Sequence, residues 1–131
     1  MALPNGAGGY QLGDGNLNEV ELYDQGTPAA YTAAAAPLLV SDITAGIITY
    51  NSSSGANLQL PLVSDLEAVI TVAKSNFSFL FSVIALGSGT GTITTNTGWT
   101  LVGSMAVATG VSGRFSARKT ANGAWTLYRM S

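Results

Sequence analysis

Cysteine and histidine are both absent from this 131-residue chain, so any chemistry must come from carboxylates, hydroxyls, amides and five cations. Their absence removes thiolate nucleophiles, Cys/His zinc sites, imidazole bases and c-type haem attachment. Asp14-Gly-Asn16-Leu-Asn18 starts like a calcium loop. Its sixth position is Glu19 where glycine is needed, and its twelfth is Gln25 where a bidentate Glu is needed, so an Asx-rich turn accounts for it better. Gly87-Ser-Gly-Thr-Gly91 has the glycine content of a phosphate loop, but no Gly-Lys-Ser/Thr follows and the next element reads as a strand. Ser116-Ala-Arg-Lys119 has the Ser-x-x-Lys spacing of some acyl enzymes, which works on a helix; on a strand, residues three apart face opposite ways. Glu19 with Glu21, and Asp65 with Glu67, are carboxylate pairs of the kind glycoside hydrolysis uses, yet the first pair shares a strand face and the second has a role at a helix start. Trp99, Trp125 and the tyrosines could make a sugar-stacking platform; core packing explains Trp125 better, and a turn would cover Trp99. This inventory argues against an enzyme and supplies no cofactor or metal site.

The elements that would position these residues are mostly β. Residues 1–18 hold five glycines, a proline and three asparagines, which prevent a stable helix or regular central strand. Leu3, Tyr10, Leu12 and Leu17 give this stretch apolar side groups that suit an extended arm lying on another surface. Short strands are expected at Glu19–Tyr23, Gly46–Tyr50 and Ala56–Leu60, with an extended Ala-rich run from Pro28 to Ala36 that Pro37 keeps from becoming one long helix. Ser64-Asp-Leu-Glu67 reads as a capping box, and Leu66, Val69, Ile70 and Ala73 recur at helical spacing, so a helix is predicted over about residues 65–74. Phe77 to Leu86 is the strongest strand, with Phe77, Phe79, Phe81, Val83 and Ala85 on one core-facing side. Strands follow at Thr92–Thr95, Trp99–Val102 and Ser104–Ala108. The last segment is a hairpin: a three-residue loop, Ala121-Asn-Gly123, with left-handed glycine, gathers Phe115, Ala117, Trp125 and Leu127 on one face and leaves Lys119 and Arg129 at the margins. A two-residue turn would scatter that apolar set. With no repeated βα pattern or fixed repeat, the expected fold is mainly all-β: a jelly-roll-like β-sandwich over residues 19–131, one short helix, and an extended N-terminal arm over 1–18.

The charged fraction is 9%, against about 25% in an ordinary soluble domain. A protein so poor in charge is expected to hide much of its surface in an assembly. All seven carboxylates lie at or before Glu67 and all five bases from Lys74 onward, a split that could give complementary patches between subunits or toward a partner. No basic nucleic-acid face is present, no apolar stretch is long enough to span a membrane, and Met1-Ala-Leu-Pro-Asn-Gly lacks the basic flank and apolar block of a secretion signal. The glycosylation patterns at Asn51 and Asn76 are therefore read as accidental.

Residues 6–19, Gly-Ala-Gly-Gly-Tyr-Gln-Leu-Gly-Asp-Gly-Asn-Leu-Asn-Glu, and the closing run from Gly113 to Arg129 go together with Asn76-Phe-Ser-Phe-Leu-Phe-Ser-Val-Ile and Gly98-Trp-Thr-Leu-Val-Gly. In these stretches the protein resembles the head decoration, or cement, proteins of tailed bacteriophages. The resemblance implies a jelly-roll-like homo-dimer or homo-trimer seated at local symmetry axes on the outer capsid surface of the virion. There it would bind the major capsid protein and clamp neighbouring subunits against internal pressure. The arm residues Tyr10, Gln11, Asp14, Asn16, Leu17 and Asn18 are the expected capsid contacts, with Arg114, Arg118 and Arg129 as further subunit or capsid contacts. The competing expectation is a phage tail-fibre or receptor-binding module that recognises glycan. An isolated carbohydrate-binding module is a third.

Overall fold

Short runs that alternate apolar and small polar residues set up strands too brief to be stable alone, and two sheets collect them. The computed structural model describes residues 22, 24–32 and 35–131. In order, these form β1 (Ala29–Tyr31), β2 (Ala35–Pro37), α1 (Val40–Ala45), β3 (Ile47–Tyr50), β4 (Ala56–Gln59), α2 (Val63–Val69), β5 (Ser78–Ala85), β6 (Gly91–Thr94), β7 (Trp99–Val102), β8 (Ala106–Val107), β9 (Ser112–Ala121) and β10 (Ala124–Arg129). The predicted arm, and with it Tyr10, Gln11, Asp14, Asn16, Leu17 and Asn18, lies outside the described residues, as does most of the strand expected at Glu19–Tyr23.

From β1 to β9 successive strands alternate between the sheets, and β10 stays in the sheet of β9. A six-stranded sheet has the order β1-β3-β5-β9-β10-β7, and a four-stranded sheet has β2-β4-β6-β8. β1, β3 and β5 run parallel to one another, as do β2, β4 and β6. Parallel neighbours need a crossover connection. Here the backbone crosses through the opposite sheet, and α1 and α2 lie on the two return paths. The fold is thus mainly β in two sheets, as expected. Its pairing departs from the antiparallel strands that define a jelly roll. Among the described residues, antiparallel ladders are confined to β5–β9, β9–β10 and β6–β8. A period-two pattern reads the same in either strand direction, so it carries no information on this point. A strand-strand-helix unit also occurs twice, contrary to the expectation of no βα repeat. Unequal spacing hides it: Ala29 sits beside Ile48, whereas Ile47 sits beside Ser82.

One core joins both sheets. From the larger sheet come Ile48, Tyr50, Phe81, Val83, Phe115, Ala117, Trp125 and Leu127; from the smaller come Leu58, Ile93 and Val107. The face expected for the Phe77–Leu86 strand holds from Phe79 to Ala85, while Phe77 stays exposed. Phe81 and Phe115 stack at 5.5 Å between centroids. The sheets touch closely where the Tyr50 ring lies under Gly91: a Cβ there would stand 3.2 Å from the ring. The hairpin adopts the bulged register, with Leu127 opposite Ala117, Trp125 opposite Lys119 and Gly123 at φ 76°.

Two helical details correct the sequence reading. Helix α1 was not anticipated; Asp42 caps it by accepting from the Leu39 N–H at 2.8 Å and from the Tyr31 hydroxyl. Helix α2 starts at Val63, after Leu62, whose side group makes no capping hydrogen bond, so Ser64 lies inside it. It ends at Val69 rather than near Lys74: the β-branched run Val69-Ile-Thr-Val72 disfavours a further turn, and bonds from Lys119 to Ala73 and Asn76 hold the following residues off a helical path.

Candidate functional site

The early end of α2 leaves residues 70–77 as a connector, and this connector builds a largely apolar hollow. Asn76, at φ 77°, turns the backbone into β5. Its N–H donates to the Lys119 carbonyl at 2.7 Å, and the Lys119 N–H donates to the Phe77 carbonyl at 2.9 Å. The resulting groove encloses about 290 Å³. Phe79 and Trp125, edge to face at 5.8 Å, line its floor. Its lip is Val69, Val72 and Phe77, which remain 64%, 78% and 53% exposed. Large apolar residues grouped so openly are a mark of a contact surface.

Beneath the groove lies the ion pair Lys119–Glu67, 3.5 Å from Nζ to Oε2. Lys119 is 7% exposed, so the expectation that it lies at a margin is corrected: strand parity turns it inward beside Trp125. Its ammonium also donates to the Ala73 carbonyl at 3.0 Å. Glu67, expected to reach back to its own helix cap, reaches across to the hairpin instead. Both of its oxygens accept from the Gly123 N–H, at 3.1 and 3.0 Å, and Oε2 accepts from Trp125 Nε1 at 3.2 Å. The Gly123 bond, with help from Trp125 and Lys119, holds the Glu67 carboxyl below the usual carboxylate range against the opposing effect of burial. This arrangement ties α2, the connector and the hairpin together. It presents no reacting group to a cavity.

The other sequence candidates are dispersed. Arg118 is engaged within the fold: its guanidinium donates to Asn76 Oδ1 at 2.6 Å and to the Tyr128 hydroxyl at 3.0 and 3.2 Å. Arg129 donates to the carbonyls of Ser104 and Ala106 at 3.1 and 2.9 Å and lies over the Phe115 ring. Arg114 is exposed on the outer face of the six-stranded sheet. Ser116 and Lys119 point to opposite faces of β9, as a strand requires. The Gly87–Gly91 loop packs against its neighbour so tightly that a Cβ at Gly89 would overlap the Ser54 carbonyl group. Trp99 and Trp125 are both buried, 6.2 Å apart, and Trp99 Nε1 donates to the Pro61 carbonyl at 2.7 Å, so they serve the core and not a sugar platform. Among the described residues no cluster of acids could hold a metal ion, and no helix is long and apolar enough to cross a membrane.

A second hollow, about 410 Å³, lies on the outer face of the four-stranded sheet. Parallel register brings Asn57 beside Thr92 and Gln59 beside Thr94, so amides and hydroxyls form rows there. Sequence reasoning missed both hollows. The groove has one local signal, the β-branched run at the end of α2. The polar rows depend on pairing between residues far apart in the sequence. Tyr31 was missed too: burial, together with its bond to the nearby Asp42 carboxylate, pushes its hydroxyl up to about 12.

No protein-family model, curated protein or solved structure matches this sequence.

Proposed function

We propose that this protein is a structural virion component that binds the outer surface of a bacteriophage capsid and cements neighbouring major capsid protein subunits as a homo-dimer or homo-trimer. The observation that carries most weight is the apolar groove with its open lip of Val69, Val72 and Phe77 on a molecule with few charges. Apolar residues at such exposure favour a surface that becomes covered. The sequence resemblance supplies the identity of the partner. The arm residues Tyr10, Gln11, Asp14, Asn16, Leu17 and Asn18, with Arg114, remain the assigned capsid contacts, while Arg118 and Arg129 first hold the fold in shape. Many identical copies on one shell would turn a modest contact into durable attachment.

Co-sedimentation with undecorated shells tests this reading, with stoichiometry taken from the bound band. The parent protein should pellet at a fixed ratio to capsid protein. Val72→Asp, which alters an exposed residue, should fold normally and bind less, and removal of residues 2–18 should abolish retention. A parent protein that stays in the supernatant with intact shells refutes the assignment. The polar trough of Asn57, Gln59, Thr94 and Thr95 favours a second reading, a tail-fibre or receptor-binding module for glycan, because amides and hydroxyls in rows can pair with sugar hydroxyls. That reading predicts saturable binding to host glycan, lost in Gln59→Ala, with no retention on shells.

A further inference from the structure

The β9–β10 hairpin of the six-stranded sheet turns through Ala121, Asn122 and Gly123, all exposed. An asparagine followed by glycine can convert itself. The Gly123 amide nitrogen attacks Cγ of Asn122, a new N–C bond forms, and the bond from Cγ to Nδ2 breaks. The amide proton is given up and ammonia leaves, producing a five-membered succinimide. Water then opens the ring to aspartate or iso-aspartate. Glycine favours the reaction because no Cβ crowds the attacking nitrogen, and an exposed turn gives water access.

Here that nitrogen is occupied. The Gly123 N–H points between both oxygens of Glu67, at 3.1 and 3.0 Å. Glu67 is held in place by α2, by Trp125 Nε1 and by the Lys119 ammonium. To reach Asn122 Cγ, the nitrogen must turn out of this charge-assisted bond. We infer that Asn122 is a latent deamidation site and that Glu67 is the clamp that keeps it from converting. The carboxylate sits below its usual range and is a weak base, so it retains the donor without removing its proton. Conversion would put a second carboxylate next to the Gly123 N–H that Glu67 holds from α2, loosening the hairpin whose register buries Trp125 and Leu127. This inference does not depend on the capsid reading.

Peptide mapping by mass spectrometry of the full-length protein, incubated at neutral pH, measures the rate. In Glu67→Ala the peptide carrying Asn122 should deamidate roughly tenfold faster or more, the factor given by losing one charge-assisted hydrogen bond. Glu67→Gln keeps an acceptor without the charge and should fall between. Because Glu67→Ala also weakens the fold, Leu58→Ala serves as a control: it opens a core cavity far from the turn at comparable cost. Leu58→Ala should deamidate near the parent rate. The inference is overturned if Glu67→Ala is no faster than the parent. It is equally overturned if Leu58→Ala matches Glu67→Ala, or if the parent reacts as fast as a free peptide spanning residues 119–127.

Discussion

Removing either member of the Lys119–Glu67 pair should have unequal consequences, because the two groups are buried differently. Lys119 is 7% exposed, and its ammonium has two acceptors, the Glu67 carboxylate and the Ala73 carbonyl. Glu67 keeps 23% of its side group exposed and has two further donors, Gly123 and Trp125. Glu67→Ala therefore strands a buried cation with one neutral acceptor, at a cost of about 3–5 kcal/mol. Lys119→Met leaves a carboxylate that still accepts two hydrogen bonds and meets water, while the methionine fills the aliphatic space. The loss there, mostly the bond to the Ala73 carbonyl, is about 2 kcal/mol. In the double variant no charge is stranded. It should be more stable than Glu67→Ala alone by about 2 kcal/mol, with the remaining loss at the unpaired Trp125 Nε1. Against a total of about 5–15 kcal/mol these differences are large. Urea unfolding, with midpoints compared at constant slope, reads them directly. The reasoning fails if Lys119→Met costs as much as Glu67→Ala, or if the double variant loses the sum of the two single losses.

Two further outcomes follow from other contacts. The raised Tyr31 hydroxyl contributes stability that is fully present below its ordinary titration range, near pH 10, and is lost as pH rises through about 12, so thermal midpoints should fall over that window in the parent and less steeply in Tyr31→Phe. Gly89→Ala would force a Cβ into the Ser54 carbonyl group and should cost about 2–3 kcal/mol by urea unfolding; Gly110→Ala, with open space but a φ of 74°, should cost only about 1 kcal/mol.

Local signals read correctly in the sequence. Alternation placed β3, β4, β5, β6 and β7 within a residue or so of their ends. The bulged turn at Gly123 was legible because only one register puts Phe115, Ala117, Trp125 and Leu127 together. What escaped were facts set by distant partners. Nothing in Ile47–Tyr50 says that Ser82–Ala85 will lie parallel beside it. Lys119 looked marginal because its position near the hairpin end suggested exposure, whereas its burial depends on Glu67 and Ala73 arriving from another element. The Ser64–Glu67 motif misled for the same reason: Glu67 satisfies amides of the hairpin that a local capping pattern does not contain. The groove, finally, depends on a β-branched run that helical spacing gives no weight to, and on bonds from Lys119, which lies in another element.

These two causes can be separated. If propensity alone ended α2, replacing exposed Thr71 and Val72 with alanine would gain about 1 kcal/mol for helix and extend it toward Lys74. The extension would bring Val69, Ile70 and Ala73 onto one face over Trp125 and erase the groove. The connector is also tethered, however. The Ala73 carbonyl accepts from the Lys119 ammonium, and the Asn76 N–H donates to the Lys119 backbone. A helical path rises about 1.5 Å per residue against about 3.3 Å for an extended one, so winding up residues 70–74 shortens the connector and pulls both bonds apart. Together these bonds contribute about 2.5–4 kcal/mol, more than the alanines supply. Thr71→Ala/Val72→Ala should therefore keep the parent's far-UV circular dichroism. The same pair placed in Lys119→Met, which severs the stronger tether, should gain helix. Added helix in the Lys119-containing double variant would show that sequence preference, rather than the Lys119 anchor, keeps the groove open.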